Sequence, residues 1–356
     1  MTIPTTNNKI ILTGAGFSSN FGALLGSGMW TAIFNHPDVQ SSKRVKECLL
    51  RVIDTYDYEY VHYCINKGIH CWGGNENQID TTQEEVYNST EIKAINDALK
   101  DAYDRIDNTI KSTSLSNYSV FIKLINSFFN KEQVSYFFTL NQDLLIERKA
   151  PSALTIPGFD DSSEVNKIFS IGDDKHMTFQ APNDRNLSDI KTEIESGKRY
   201  FYVKLHGSCN WTGSDGKDLM IIGQGRRPTE QKEAQIANEP LLAHYMDIFN
   251  QVICAEKMKH LLVIGYSFRD DHINDIIVKA IKNSHLKLHI IDPKPIGEFI
   301  KNVLSLQSPF GKRLSALDKD VFTNSISGYY QWTKNVYLEE NSMEFDVLKK
   351  CFFDAH

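Results

Sequence analysis

What this chain lacks narrows it first. Its six cysteines (Cys48, Cys64, Cys71, Cys209, Cys254, Cys351) include no C-x-x-C pair. That excludes a zinc ribbon built from two such pairs, and scattered thiols point to a reducing compartment rather than a disulfide framework. No apolar run approaches the roughly 20 residues that span a bilayer. The N-terminus has no basic stretch ahead of its short apolar run, so no signal peptide is expected. Positive charge is not in excess either: 39 Lys and Arg against 45 Asp and Glu leave a formal charge of −6. No global field therefore draws nucleic acid or an anionic membrane. Short basic runs, such as Arg226 and Arg227, read as solvated charge. A cytoplasmic protein without repeats is expected.

What is present is ordinary globular composition, 41% hydrophobic and 24% charged over 356 residues. That length suits two domains or one large α/β domain with insertions. Five short apolar runs read as buried strands: 10–12, 134–140, 200–205, 261–264 and 286–291. Helical periodicity covers 39–67, with a possible restart near Asp57, then 84–110, 120–129, 239–258, 270–283 and 345–353. The organisation expected is a Rossmann-like α/β core over 1–36 and 116–295, with helices on both faces of a parallel sheet. It carries a helical insertion or cap at 37–115 and an irregular insertion at 151–198, rich in Pro, Gly and Asp, with short antiparallel strands. Residues 296–356 form a C-terminal extension packing on the core.

The strands share one feature. Small, polar or titratable residues follow each: Gly14, Ala15, Gly16, Phe17 and Ser18; Asn141 and Asp143; His206 and Ser208; Gly265 and Ser267; Asp292. In an open parallel sheet, ligands bind beyond the carboxyl ends of the strands. The glycine turn lets backbone N–H groups approach a phosphate, which a following helix N-terminus also favours. Each residue has a structural alternative. Ser18, Asn141, Asp143 and Asp270 are all good helix caps, and Asp292 suits a turn before Pro293. Trp30, Trp72 and Trp211 read as packing anchors. The cluster His62, Cys64, His70 and Cys71 fits no common zinc spacing, so no metal is expected.

In order along the chain, Gly14-Ala15-Gly16-Phe17-Ser18, Thr139-Leu140-Asn141-Gln142-Asp143, Leu205-His206-Gly207-Ser208 and Gly265-Tyr266-Ser267-Phe268 resemble the NAD-binding motifs of sirtuins. The resemblance spans about 9 to 292, insertions aside. It implies a Rossmann-type core that binds NAD and cleaves the nicotinamide–ribose bond, with His206 and Asn141 catalytic. The cofactor-binding set it implies is Gly14, Ala15, Gly16, Phe17, Ser18, Asn141, Asp143, Gly265, Ser267 and Asp292. Three departures stand out. The zinc ribbon of the protein deacylases is missing, Gly26-Ser27-Gly28-Met29-Trp30 stands where they carry P-D-F-R, and Cys209-Asn210-Trp211-Thr212 replaces the F-G-E peptide clamp. The pattern looks like the sirtuin-like NADases of bacterial antiphage defence. It implies hydrolysis of NAD⁺ to nicotinamide and ADP-ribose, in a homo-oligomer or with a separate recognition-module or ATPase partner. Two alternatives stay open: a non-catalytic NAD- or ADP-ribose-binding sensor or scaffold, and a deacylase or ADP-ribosyltransferase.

Chemistry supports the residue types. Nicotinamide leaves NAD⁺ as a neutral group, so the site must hold the ribose, stabilise a cationic sugar and deliver water. Histidine suits the base. Asparagine can donate and accept at once to orient water or a ribose hydroxyl, and a carboxylate such as Asp143 favours developing positive charge.

Overall fold

The computed structural model describes residues 9–71, 86–129, 134–150, 154–159, 179–180, 200–213, 216–224, 231–255, 259–332, 337 and 342–354. The strands among the described residues are β1 (Lys9–Thr13), β2 (Ser135–Thr139), β3 (Phe179–Gln180), β4 (Tyr200–Lys204), β5 (Gly207–Thr212), β6 (Asp218–Met220), β7 (His260–Ile264), β8 (Lys287–Asp292) and β9 (Ile326–Gln331). Six of them make a sheet in the order β4-β2-β1-β7-β8-β9, every pair parallel. Counting only these six along the chain, the order is 3-2-1-4-5-6, that of a doubly wound dinucleotide-binding sheet. The α/β expectation holds, and its five strands are all present. The sixth, β9, comes from the C-terminal stretch, which contributes to the sheet as well as packing on it.

The inner strands of the main sheet are apolar because helices cover both faces. Residues 136 to 138 of β2 and 261 to 264 of β7 are at most 2% exposed. The strand ends are level: Thr13 pairs with both Thr139 and Ile264, and Thr139 pairs with Lys204. This register brings the residues that follow them to one edge.

After β1 come α1 (Ala15–Ser18), a 3₁₀ turn at Ser19–Phe21, and α2 (Gly26–Phe34). The insertion supplies α3 (Pro37–Ser41), α4 (Lys43–Leu50), α5 (Tyr58–Lys67) and α6 (Ser89–Ser112). The helical stretch expected over 39–67 is thus covered by three helices, one of them the restart expected near Asp57. Side chains end the runs: Ser42 accepts from Val45 N–H and Asp57 from Tyr60 N–H, each starting a new helix, and Gly68 closes α5 with a left-handed residue. α6 opens with a reciprocal capping box between Asn88 and Glu91.

The core region continues with α7 (Ser119–Phe128), α8 (Leu145–Lys149), α9 (Lys232–Ala237), α10 (Pro240–Ile253) and α11 (Asp271–Ser284). The C-terminal stretch adds α12 (Ile296–Leu304), α13 (Pro309–Arg313), α14 (Ala316–Ser325) and α15 (Ser342–Leu348), the last running into a π-helical turn at Lys349–Phe353. Among the described residues no helix is long and apolar enough to cross a membrane.

Most of the irregular insertion, with Trp72, Arg226 and Arg227, lies outside the described residues. Where it is described, it pairs parallel rather than antiparallel: Thr155 bridges Phe201, and β3 runs alongside β5. Among the described residues only β5 and β6 pair antiparallel.

One aromatic cluster seats the opening turn. Phe17 packs against Phe121, Phe137 and Tyr337 at 5.7 to 6.0 Å between ring centroids. Burying such a ring stabilises by about 1.5–3 kcal/mol. The Tyr337 hydroxyl also donates to the Phe17 carbonyl at 3.1 Å.

Candidate functional site

The turn after β1 and the turn after β7 lock together through their backbones. Gly14 N–H donates to Ile264 O at 3.0 Å and Gly16 N–H to Gly265 O at 2.9 Å. A Cβ on Gly14 would lie 2.8 Å from Gly265 O, and one on Gly16 equally close to Gly265 Cα. Gly265 has φ +63° and a Cβ there would meet Phe17 N at 2.4 Å. These glycines therefore let two loops touch, a demand independent of any phosphate. α1 has only four residues, so its dipole adds little beyond its own N–H groups.

Phe17 packs its side chain inward from the turn. Its ring is in the core, its N–H is donated to Gly14 O, and its carbonyl accepts from Tyr337. Ala15 is the exposed residue of the turn, with Gly16 half-buried. Ser18 is buried and does not cap a helix with its side chain; its Oγ accepts from Asn141 Nδ2 at 2.9 Å.

The segment after β2 is fixed from several sides. Asn141 N–H donates to Thr139 Oγ1 at 3.0 Å, and Thr139 accepts from Thr13 Oγ1 at 2.8 Å. Asn141 Oδ1 has no partner among the described residues, while its Nδ2 is committed to Ser18. Gln142 accepts from Tyr103 of α6 at 2.5 Å and donates to Ile221 O at 2.8 Å. Asp143 accepts from Leu145 N–H at 3.0 Å, the turn-capping role, and burial raises its carboxyl against the pull of Lys204. Lys204, at the end of β4 and fully enclosed, donates to Asp143 O at 2.6 Å and pairs with Glu147 at 2.8 Å.

His206 stands two residues beyond Lys204 as Asn141 stands two beyond its paired Thr139. The two therefore occupy neighbouring positions on the edge. His206 is 3% exposed, and its Nε2 meets Nε2 of His272, on the first turn of α11, at 2.9 Å. Burial lowers both rings, His206 to about 3 and His272 to about 4, with Asp270 opposing the shift. Enclosure thus keeps His206 neutral.

Asp270 sits at the N-cap of α11 but makes no capping bond with its side chain. Its carboxylate instead pairs with Lys232 of α9 at 3.0 Å, and Lys232 pairs with Glu59 of α5 at 2.9 Å. Burial would raise Asp270, yet Lys232 and the two histidines hold it well below the usual carboxylate range. His272, Lys232, Glu59 and Lys204 carried no local signal, because each reaches the site only through the tertiary fold.

Ser267 is exposed beside the glycine turn. Its neighbour Phe268 has φ +56°, held by Asn274 Nδ2 on its carbonyl at 3.0 Å and by rings of Phe299, Phe310 and Phe322. Asp292, half-buried at the end of β8, accepts from Lys294 N–H at 2.9 Å in the expected turn. Its second oxygen accepts no hydrogen bond among the described residues. Among the described residues no group of three or more potential metal ligands converges; His62 bonds Asn96 at 2.8 Å, and Cys48, Cys64 and Cys71 are buried thiols.

Residues 135–304 match the SIR2-like domain family. The matched stretch runs from β2 to α12 and contains Asn141, His206, Gly265 and His272. It supports a sirtuin-like, NAD-related function. No curated protein matches the chain.

Proposed function

We propose that this protein hydrolyses NAD⁺ at the nicotinamide–ribose bond, with His206 as base and Asn141 as the residue that orients water or a ribose hydroxyl. The observation that carries the reading is the pairing of Asn141 with Ser18 at 2.9 Å, beside His206 on the same level edge. With Nδ2 held by Ser18, Asn141 presents Oδ1 as an acceptor. Ala15, Ser267 and Asp292 offer polar groups along the crevice for the remainder of the dinucleotide. NAD is the substrate, and no metal is invoked.

The test is incubation of purified protein with NAD⁺ and quantification of nicotinamide. His206→Ala and Asn141→Ala should each lower release by roughly 10²-fold or more, the usual contribution of a positioned base. Release unchanged in both variants overturns the assignment.

A second reading, an NAD- or ADP-ribose-binding subunit without turnover, is favoured by one fact: His206 is enclosed and engaged by His272. NAD⁺ binding without nicotinamide release, with partners supplied, would establish it. A deacylase or transferase would need a peptide clamp, which the chain does not carry in its family form.

An unrestrained NADase is toxic, so the proposal includes a role in antiphage defence with activity set by assembly or a partner. Its support is that the helical insertion reaches the site twice, through Tyr103 to Gln142 and through Glu59 to Lys232. Specific activity should rise steeply with protein concentration if assembly is the trigger.

A further inference from the structure

The segments after β4 and β7 meet above the sheet although β2 and β1 lie between them. Neighbouring strands are about 4.8 Å apart, so three intervals set the strands roughly 14 Å apart. Yet His206 and His272 touch, Nε2 to Nε2, at 2.9 Å. Two such nitrogens bond only when one carries a proton and the other does not. Around the pair stand Asp270, Lys232 of α9 and Glu59 of α5, the charged groups whose fields reach His206.

We propose that His272 is a positioning residue that receives the proton His206 takes from the attacking water, the two rings forming a relay with Asp270 as counter-charge. This rests on the reading of His206 as base. With Nε2 turned to His272, the base atom of His206 is Nδ1, which has no partner among the described residues. A neutral imidazole accepting at Nδ1 carries its own proton on Nε2. His206 is then the donor of the bond, and His272 accepts at Nε2 with its proton on Nδ1.

The step balances. The ribose–nicotinamide C–N bond breaks and its electron pair leaves with neutral nicotinamide. The water oxygen bonds the ribose carbon, and a water proton passes to His206 Nδ1. The Nε2 proton of His206 crosses to His272 Nε2. Positive charge comes to rest on His272, two residues from Asp270 and one ring away from the sugar, which is then neutral. Burial holds both rings neutral beforehand, at about 3 and about 4, so the relay starts empty at physiological pH. A base this weak suffices, because water adding to a cationic sugar is strongly acidic.

The experiment compares His272→Gln with His272→Phe. Glutamine keeps an amide near the Nε2 position and can hydrogen-bond, but it takes no proton; phenylalanine keeps only volume. The relay requires kcat for nicotinamide release to fall roughly 30-fold or more in both, within the range of a lost proton-transfer group, with KM changed less than about twofold. A His272→Gln variant within about threefold of the parent would show that only the hydrogen bond matters, and would overturn the relay. Long-range ¹H–¹⁵N spectra of the imidazoles give an independent answer. His206 should be the Nε2–H tautomer and His272 the Nδ1–H tautomer; the reverse overturns the relay whatever the activity. Nicotinamide release insensitive to His206→Ala would instead overturn the reading of the site, while the spectra still judge the pair.

Discussion

Lys204 carries its charge with no exposure to water, and Glu147 answers it at 2.8 Å with 1% exposure. Two charges so deep are stable only together, since each alone keeps the full desolvation cost. Lys204→Met should therefore destabilise by about 3–5 kcal/mol in urea titrations. Combining it with Glu147→Gln should recover part of the loss; equal destabilisation in the single and double variants would deny the coupling. The same residue shows where sequence reading stops. Asn141 and His206 were legible because they follow apolar runs, where a strand must end and a polar group must face outward. Lys204 lies inside its run and reads as the solvated end of a strand. His272 and Lys232 lie on unremarkable helical turns, and only the fold sets them against His206 and Asp270.

At the scale of elements, the joined turns after β1 and β7 are the sharpest constraint. Gly265→Ala would place a methyl 2.4 Å from Phe17 N at a positive φ. The two loops would have to separate, and the Gly16-to-Gly265 hydrogen bond with them. The expected outcome is a loss of more than about 1 kcal/mol in stability, and weaker NAD⁺ binding by calorimetry. Unchanged binding would show that the ligand does not depend on this junction. Five strands were legible as β-branched and aromatic runs, but β9 was not. Its sequence Ile-Ser-Gly-Tyr-Tyr-Gln alternates weakly and is only partly buried, as befits an edge strand covered on fewer sides. The helix breaks at Ser42 and Asp57 were written in the sequence as cap residues. Apolar spacing on either side masked the break at Ser42, because short helices sharing one core face keep nearly the same periodicity, whereas the restart at Asp57 was legible.

For the whole molecule, protonation sets the working range. His62, His206, His272 and His289 are lowered by burial to about 4, 3, 4 and 4. In the unfolded chain they titrate near 6.5. Between those values the unfolded state binds more protons, so stability is full above pH of about 6.5 and falls as pH drops toward 4. Asp107, which burial would raise, is held low by Arg148 and Lys111, and Asp270 by Lys232. Their contribution persists lower, and goes only as pH falls below the ordinary carboxylate value near 3.9. Calorimetric Tm should therefore decline in two stages on acidification, the first from the histidines. A Tm that is flat from about pH 7 to 4.5 would contradict the buried, neutral rings.

The hydroxyl of Tyr337 on the carbonyl of Phe17 joins residues 320 positions apart. A ribosome makes the glycine turn 320 residues before Tyr337, the last ring of its aromatic floor. At about 5–20 residues per second, the interval is on the order of tens of seconds. Until those residues are made, the turn after β1 has neither Gly265 nor Tyr337 to hold it, so a nascent chain carries the glycine motif without its shape. The shape of this edge is thus timed by translation: the turn has all its contacts only once Tyr337 is made, and a truncated product lacking it would keep the glycine motif without the hydrogen bond and ring that seat it.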